Sequence, residues 1–435
     1  MAVNVHLRGA LSALAVAVAA AASAPAQAEL AIAPLLSKTS IDAGKPGLEI
    51  SVSAFNSGAA ATVDVYLAVQ APNGDFYSFR GSDWVPGIKP WFNGIQLSRN
   101  FSYPPTRVAV LPGLGAGQYT VYTAFARPGT LDLLHLSQGS FLVASSSGGI
   151  RFGALTLSEY QTASPAAGGG RKVASEVEAA GTFVKSNKSL EFTREVLDGA
   201  EPPLGQCVLN KISGNIFALP GGLQYQTLDV GDAITLKAAA GGATVGSIDL
   251  VKDPDLVAFG QNIYGLPAGV TLPAGTVSRN LQYTFAAAGG SQLAGFSASA
   301  AGLDALQLTS PALATFDSIS SSSGLPLAWN GNRGIGEVFV SISGSNFATP
   351  FPDTCSLDCR FADNGQASVP AAKLQQLKAC VAEGRFGAPG QVEFSISRNR
   401  YQFFNTTRNE LGFGVLLLEA GQSALAAEGQ HRFKQ

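Results

Sequence analysis

Hydrophobic residues at every second position constrain this chain more than any other feature. Val63, Val65, Leu67 and Val69 alternate with Asp64, Tyr66 and Ala68, and Ile50, Val52 and Ala54 do the same before the turn residues Asn56-Ser57-Gly58. Successive strand side chains point to opposite faces, so this period buries one face and leaves the other outside. Tyr119, Val121, Thr123 and Phe125 repeat the pattern after the glycine-rich stretch from Gly113 to Gly117. Tyr283 and Phe285 alternate with Gln282 and Thr284, and Val392, Phe394 and Ile396 with Glu393, Ser395 and Ser397. Such runs, separated by Gly, Pro and Asn turns with no long helical pattern between them, predict an all-β chain of sandwich units.

Composition agrees. Charged residues make up 13% of the 435 residues and hydrophobic ones 46%, against a charged share of ~25% in ordinary soluble domains. Glycine, serine, threonine, asparagine and glutamine fill the gap, and they suit turns and strand faces where long helices favour Glu, Lys and Arg. The net charge of −2 provides no field for nucleic acid or an anionic membrane, and the basic residues are dispersed, so nucleic acid is not an expected partner. No helical pattern follows Gly113–Gly117, which excludes a dinucleotide-binding turn.

The N-terminus predicts export. His6 and Arg8 precede an apolar run from Ala10 to Ala22, and Ala26-Gln27-Ala28 supplies a small-x-small cleavage site, the pattern of a secretory signal. Residues 1–28 are read as that signal, with the mature chain starting at Glu29 and destined for the periplasm, cell surface or exterior. The apolar run is shorter than the ~20 residues of a membrane span, as is Leu416-Leu417-Leu418, so no span is expected after cleavage. An exported chain with Cys207, Cys355, Cys359 and Cys380 is expected to form two disulfides, in any of three connectivities. Cys355 and Cys359 share a loop and cannot both lie far from Cys380, so at least one bridge falls in that group. Their spacing and the lack of a nearby histidine speak against zinc.

Along the mature chain the expected organisation is a sandwich over 29–144 and a Ser/Gly linker over 145–153. A second β unit follows over 154–302, a third over 303–420, and a polar tail over 421–435. Whether 154–420 makes one domain or two stays open. Pro370 and the spacing of Leu374, Leu377 and Val381 predict one short helix over 370–381.

Two stretches carry a resemblance. Asp64-Val65-Tyr66 and Gly117-Gln118-Tyr119-Thr120 resemble the strands of immunoglobulin-like modules in bacterial exported proteins. Tyr119 matches the tyrosine corner of such domains, two residues before the place of the second core cysteine in antibody domains. Val121 stands there, so the resemblance is to disulfide-free sandwiches of the fibronectin type III kind. Thr309-Ser310-Pro311, the strand ending in Trp329, and Val338–Ile342 resemble the immunoglobulin-like repeats of secreted and wall-associated proteins. The resemblance implies two or three tandem immunoglobulin-like β-sandwich domains. It also implies a core position for Trp329, with Leu325 and Leu327 on the same strand face, and no catalytic residues in the pattern.

Candidate chemistry is sparse. His135 sits among Leu133, Leu134 and Leu136, His431 lies in the polar tail, and no Gly-x-Ser-x-Gly elbow is present, so Ser-His-Asp catalysis is not expected. Asp249, Asp253 and Asp255, and Asp353, Asp358 and Asp363, are the groups that paired-carboxylate hydrolysis or calcium would draw on. Their spacing fits no EF-hand loop, and no catalytic residue, cofactor or metal ligand is assigned. Between Phe76 and Asn93, the rings of Tyr77, Trp84, Trp91 and Phe92 either stack on a sugar or fold back to cap the core, and capping is the expectation. The reading is therefore a non-enzymatic exported protein with a structural, adhesion or binding role, its partner a cell-surface protein or polysaccharide. The alternative is a secreted carbohydrate-active hydrolase or its carbohydrate-binding accessory.

Overall fold

The alternating segments become strands packed in two connected bodies. A computed structural model describes residues 30–435 except 46, 146–148, 167–170, 213–218, 259, 317–318, 332–335, 347–352, 383–391, 425–432 and 435. The segment read as a signal sequence, its expected cleavage site and His431 therefore lie outside the described residues.

The first body is a two-sheet sandwich. One sheet holds β1 (Leu30–Leu36), β3 (Leu48–Asn56) and β8 (Phe101–Leu111). The other runs β2 (Ser40–Asp42), β10 (Leu133–Ala144), β9 (Gly117–Ala126), β4 (Ala61–Gln70), β5 (Phe76–Arg80), β6 (Asp83–Pro86). A further strand, β7 (Phe92–Leu97), pairs with β4. Ile50 and Val52 meet Val63, Val65, Leu67, Val69, Val121 and Phe125 in one apolar core. The Tyr119 hydroxyl donates to the Gly115 carbonyl at 3.1 Å, the bond that defines a tyrosine corner.

The second body is organised by a 13-stranded sheet. Its first strands are β11 (Arg151–Pro165), β12 (Arg171–Ser186), β13 (Gln206–Ile212), β14 (Tyr225–Thr227), β15 (Ala233–Ala240) and β16 (Ala243–Lys252). Next come β17 (Ile263–Gly265), β18 (Gln282–Gly289) and β19 (Ala294–Ala301). Three short strands, β20 (Leu308–Ser310), β21 (Ile319–Ser320) and β22 (Leu325–Trp329), stand outside it. The large sheet resumes with β23 (Glu337–Asn346) and β24 (Asp353–Ala362), and ends with β26 (Glu393–Phe403) and β27 (Phe413–Ala424) after a separate β25 (Gln366–Val369). A last short strand, β28 (Phe433–Lys434), pairs parallel with β21. The order β13-β24-β23-β26-β27-β11-β12-β17-β16-β15-β18-β19 bends until Phe296 in β19 bridges to Thr406 just past β26.

Two cores follow from that bend. The rolled half encloses Leu155, Leu157, Phe183, Ile234, Tyr283, Phe285, Leu416 and Leu418. Gly153 stands opposite Phe183 across β11 and β12, and a Cβ there would come within 2.6 Å of the ring. The other half packs β23, β24 and β26 on the small sheet β20-β22-β25 and on a helix over Ala371–Ala382. Leu325, Leu327 and Trp329 share one face and are buried in this core, with Leu374 and Leu377 of the helix. Both disulfides lie here, Cys207–Cys359 and Cys355–Cys380.

The all-β class and the helix near 370–381 are as expected. Two short helices were not anticipated, α1 (Leu190–Leu197) and α2 (Pro254–Val257); the helix over 371–382 is α3. Ser189 caps α1 by accepting the Phe192 N–H, and Asp253 caps α2, both ordinary N-cap chemistry. Three expected boundaries shift. The division at 302/303 falls within a body whose long strands share one sheet, because β27 inserts beside β11 in parallel, a pairing that local periodicity does not reveal. The linker expected over 145–153 ends in structure: Ile150 and Phe152 are buried against Leu190, Phe403 and Phe413, and β11 begins at Arg151. The tail expected from 421 starts as strand, since Gln422 is buried and accepts the Leu308 N–H at 2.7 Å.

Candidate functional site

The aromatic segment is a strand hairpin, β5 to β6, followed by a short connection that holds Trp91 and leads into β7. A turn at Gly81, in the left-handed region at φ 69°, joins β5 to β6, as tight hairpins require. Tyr77 pairs with Val69 and Phe92 with Val65, and both valines face the core. The rings therefore line the inner face of a sheet that reaches past the narrower sheet opposite. Trp84 and Trp91 are half-buried on the core, with ring centroids 5.3 and 5.9 Å from Phe79. Tyr77 and Phe92 stay 37% and 44% exposed. The two indoles thus pack inward and the other two rings form an open shelf. The Trp84 Nε1 is buried and has no hydrogen-bond partner among the described residues.

The two bodies meet at a charged junction that sequence reasoning missed. Arg360 on β24 is 2% exposed. It donates from Nε and Nη2 to the two Glu337 oxygens at 2.8 and 2.7 Å, and from Nη1 to the Ser37 carbonyl of the sandwich at 2.8 Å. Glu201 lies 3.3 Å from the same Nη1 and accepts the Thr39 N–H and hydroxyl. From α1, Arg194 donates to Ser40 at 2.8 Å and Glu191 pairs with Lys38 at 2.9 Å. Burial opposes the Arg360 charge, but Glu337 and Glu201 outweigh it and raise its pKa. Phe339, its cross-strand neighbour, lies under the guanidinium at 5.5 Å. One disulfide borders this arrangement: Cys207 faces Cys359 across β13 and β24, one residue from Arg360, and Gly205 donates to the Arg360 carbonyl.

Beside this contact is a cleft of about 270 Å³, lined from the sandwich by β1 and Ser137–Ser140, and from the other body by Leu303, Asp304, Glu337, Asp363 and Arg398–Tyr401. It lies where β26 runs on past the start of β23: among the described residues, Val338–Arg398 is the last pair of that ladder. Arg398 pairs with Asp363 at 2.5 Å and also donates to the carbonyls of Ala305 and Asn330. Arg400 donates from Nη1 to the carbonyls of Ala301 and Gly302 at 2.7 and 2.8 Å.

The candidate acids do not converge. Asp249 accepts from Thr235, Asp253 caps α2, Asp255 is exposed and Asp353 pairs with Lys211. Asp358 accepts from Asn210 and Ser341, and Asp363 from Trp329 Nε1 at 2.7 Å. His135 accepts the Ile32 N–H through Nδ1 at 3.3 Å. One acid outside the sequence-based set stands apart. Burial, with Glu178 adding to it, pushes Glu419 on β27 up to about 7 against its bonds with Asn399 and Tyr160. Among the described residues no group of three or more His, Cys, Asp or Glu is placed to hold a metal ion, and no helix is long and apolar enough to cross a membrane.

No protein-family model matches the sequence, and no curated protein matches it. Among solved structures, the chain is similar to the crystal structure of a tetra-tandem repeat in the extending region of a large adhesion protein. The identity is 10%, the match covers 92% of this chain and 100% of that one, and the TM-score is 0.16. At that score the likeness carries no argument about function.

Proposed function

We propose that this chain is a non-enzymatic exported protein with a structural, adhesion or binding role at the cell envelope or outside the cell. The observation that supports it most is where its acids and His135 go. Each carboxylate of the two aspartate clusters that has a described partner serves a cap, an ion pair or a strand contact, and His135 is tied to β1. Hydrolysis by paired carboxylates needs two acids facing one bond at ~5–9 Å, and these aspartates are spread over strands, a helix cap and the interior. Two disulfides suit an oxidising compartment. A second reading, a carbohydrate-binding accessory, is favoured by the exposed rings of Tyr77 and Phe92, since flat aromatic faces stack on sugar rings.

The test uses the mature chain on beads against intact cells and a panel of envelope and plant polysaccharides. Retention without release of reducing ends is the expected result, and steady release of reducing ends would overturn it. Loss of retention on Tyr77→Ala and Phe92→Ala together would favour the carbohydrate reading.

A further inference from the structure

Three guanidiniums line the cleft between the bodies, and the protein neutralises two of them. Arg360 faces Glu337 and Glu201, and Arg398 faces Asp363. Arg400 has no such partner: among the described residues no carboxylate forms an ion pair with it, and neither Nε nor Nη2 donates to a protein oxygen. Asp304, whose charge reaches it, is paired with Arg279 at 3.3 Å. Crowding by protein atoms outweighs Asp304 and lowers the Arg400 pKa from the usual guanidinium value. The two carbonyl bonds hold Nη1 and so fix the planar fork, and Arg400 is one of the residues that line the cleft. A planar fork of N–H donors matches the paired oxygens of a carboxylate. Across the cleft, exposed Gln138 on β10 brings an amide donor from the sandwich.

We propose that this cleft binds a small organic carboxylate, with Arg400 pairing the carboxylate and Gln138 contacting the ligand from the opposite body. Its volume, about 270 Å³, lies just under the ~300–1,000 Å³ of ordinary small-molecule sites, so the ligand is a single small acid rather than a polymer segment. Sugar acids and short aliphatic acids share the required group. This rests on the reading of the chain as a binder rather than a catalyst.

The test is calorimetric titration of the full mature chain at low ionic strength with D-glucuronate, with succinate and with D-glucose. Saturable binding of at least one acid and none of glucose is expected. The preferred acid distinguishes the two sources. Arg400→Gln should weaken binding by about tenfold or more, as loss of a charge-assisted pair does. Arg400→Lys should retain part of it, and Gln138→Ala should weaken it while leaving the melting temperature unchanged. If Arg400→Gln fails to fold, the lysine and Gln138 variants decide. No saturable binding of either acid, or equal binding by a folded Arg400→Gln protein, would overturn the site. Chemical conversion of a bound acid would leave the site standing and overturn the non-catalytic reading, so the two fail separately.

Discussion

Every core residue of the sandwich comes from one stretch, 30–144, whereas the cysteine-bearing half of the second body draws on strands as distant as β13 and β26. The sandwich core is aliphatic and aromatic throughout and contains no disulfide. The other core has both disulfides, with Asp363 and Arg398 buried at its edge and Trp329 bonded to Asp363. Joining distant segments costs more loop-closure entropy than joining neighbours, and crosslinks offset that cost by constraining the unfolded chain. The contrast teaches that the sandwich is held by local alternation, and its neighbour by long-range staples and polar pairs.

The largest expected effect sets one tryptophan against another. Trp329→Ala should destabilise the protein by ~3–5 kcal/mol in denaturant melts, as core aromatic truncations do, because it also strips a partner from buried Asp363. Trp84→Ala should cost clearly less, since that indole is half-buried and its Nε1 has no hydrogen bond to lose. Equal losses would break the contrast between the two regions.

Next come the disulfides. Cys207 and Cys359 are 152 residues apart and Cys355 and Cys380 are 25 apart. Replacing the first pair by serine should cost more than replacing the second, by roughly 1–2 kcal/mol on loop entropy alone. The reverse order, measured by urea unfolding, would show that local packing rather than chain connectivity sets the value of these bonds.

The third effect is a pH dependence in the second body. Glu419 titrates near 7 when folded, against an ordinary value of 4.5. Its contribution is fully present below about 4.5 and is lost as pH rises through 7, because the unfolded chain then releases its proton first. Asp229 runs the other way. Burial opposes its charge, but Lys252 at 2.8 Å and the Gly231 N–H hold its pKa well below the usual range, so its contribution is lost on acidification below about 3.8. Glu419→Gln should flatten the decline in melting temperature between pH 4.5 and 7. An unchanged slope would mean that another group carries it.

The sequence revealed what local patterns encode. Alternation located the strands at Val63–Val69 and Tyr119–Phe125, the Leu374/Leu377/Val381 spacing located α3, and the register of Leu325, Leu327 and Trp329 marked a buried face. It did not reveal that β27 lies beside β11, because a parallel pairing between residues 261 positions apart (Phe152 with Phe413, 413 − 152) leaves no local trace. The junction was equally hidden. Arg360 alternates with Cys359 and Phe361 as any outward-facing polar residue would, and only the docked sandwich turns that outer face into an interior. Arg400 was missed for the same reason. The aromatic run was visible, but not its division into two packed indoles and two exposed rings on the same face, which depends on the unequal widths of the two sheets.

The central claim is that Arg360 joins the two bodies into one unit. The direct measurement is the distance distribution, by pulsed electron resonance, between spin labels at exposed Ser98 in the sandwich and exposed Asp255 in the second body. The native chain should give one narrow distribution. Arg360→Gln, which leaves Glu337 and Glu201 without their cation, should broaden it and also destabilise the fold by ~3–5 kcal/mol, the usual cost of orphaning a buried charge. A broad distribution in the native chain, or one that Arg360→Gln leaves unchanged, would contradict the account.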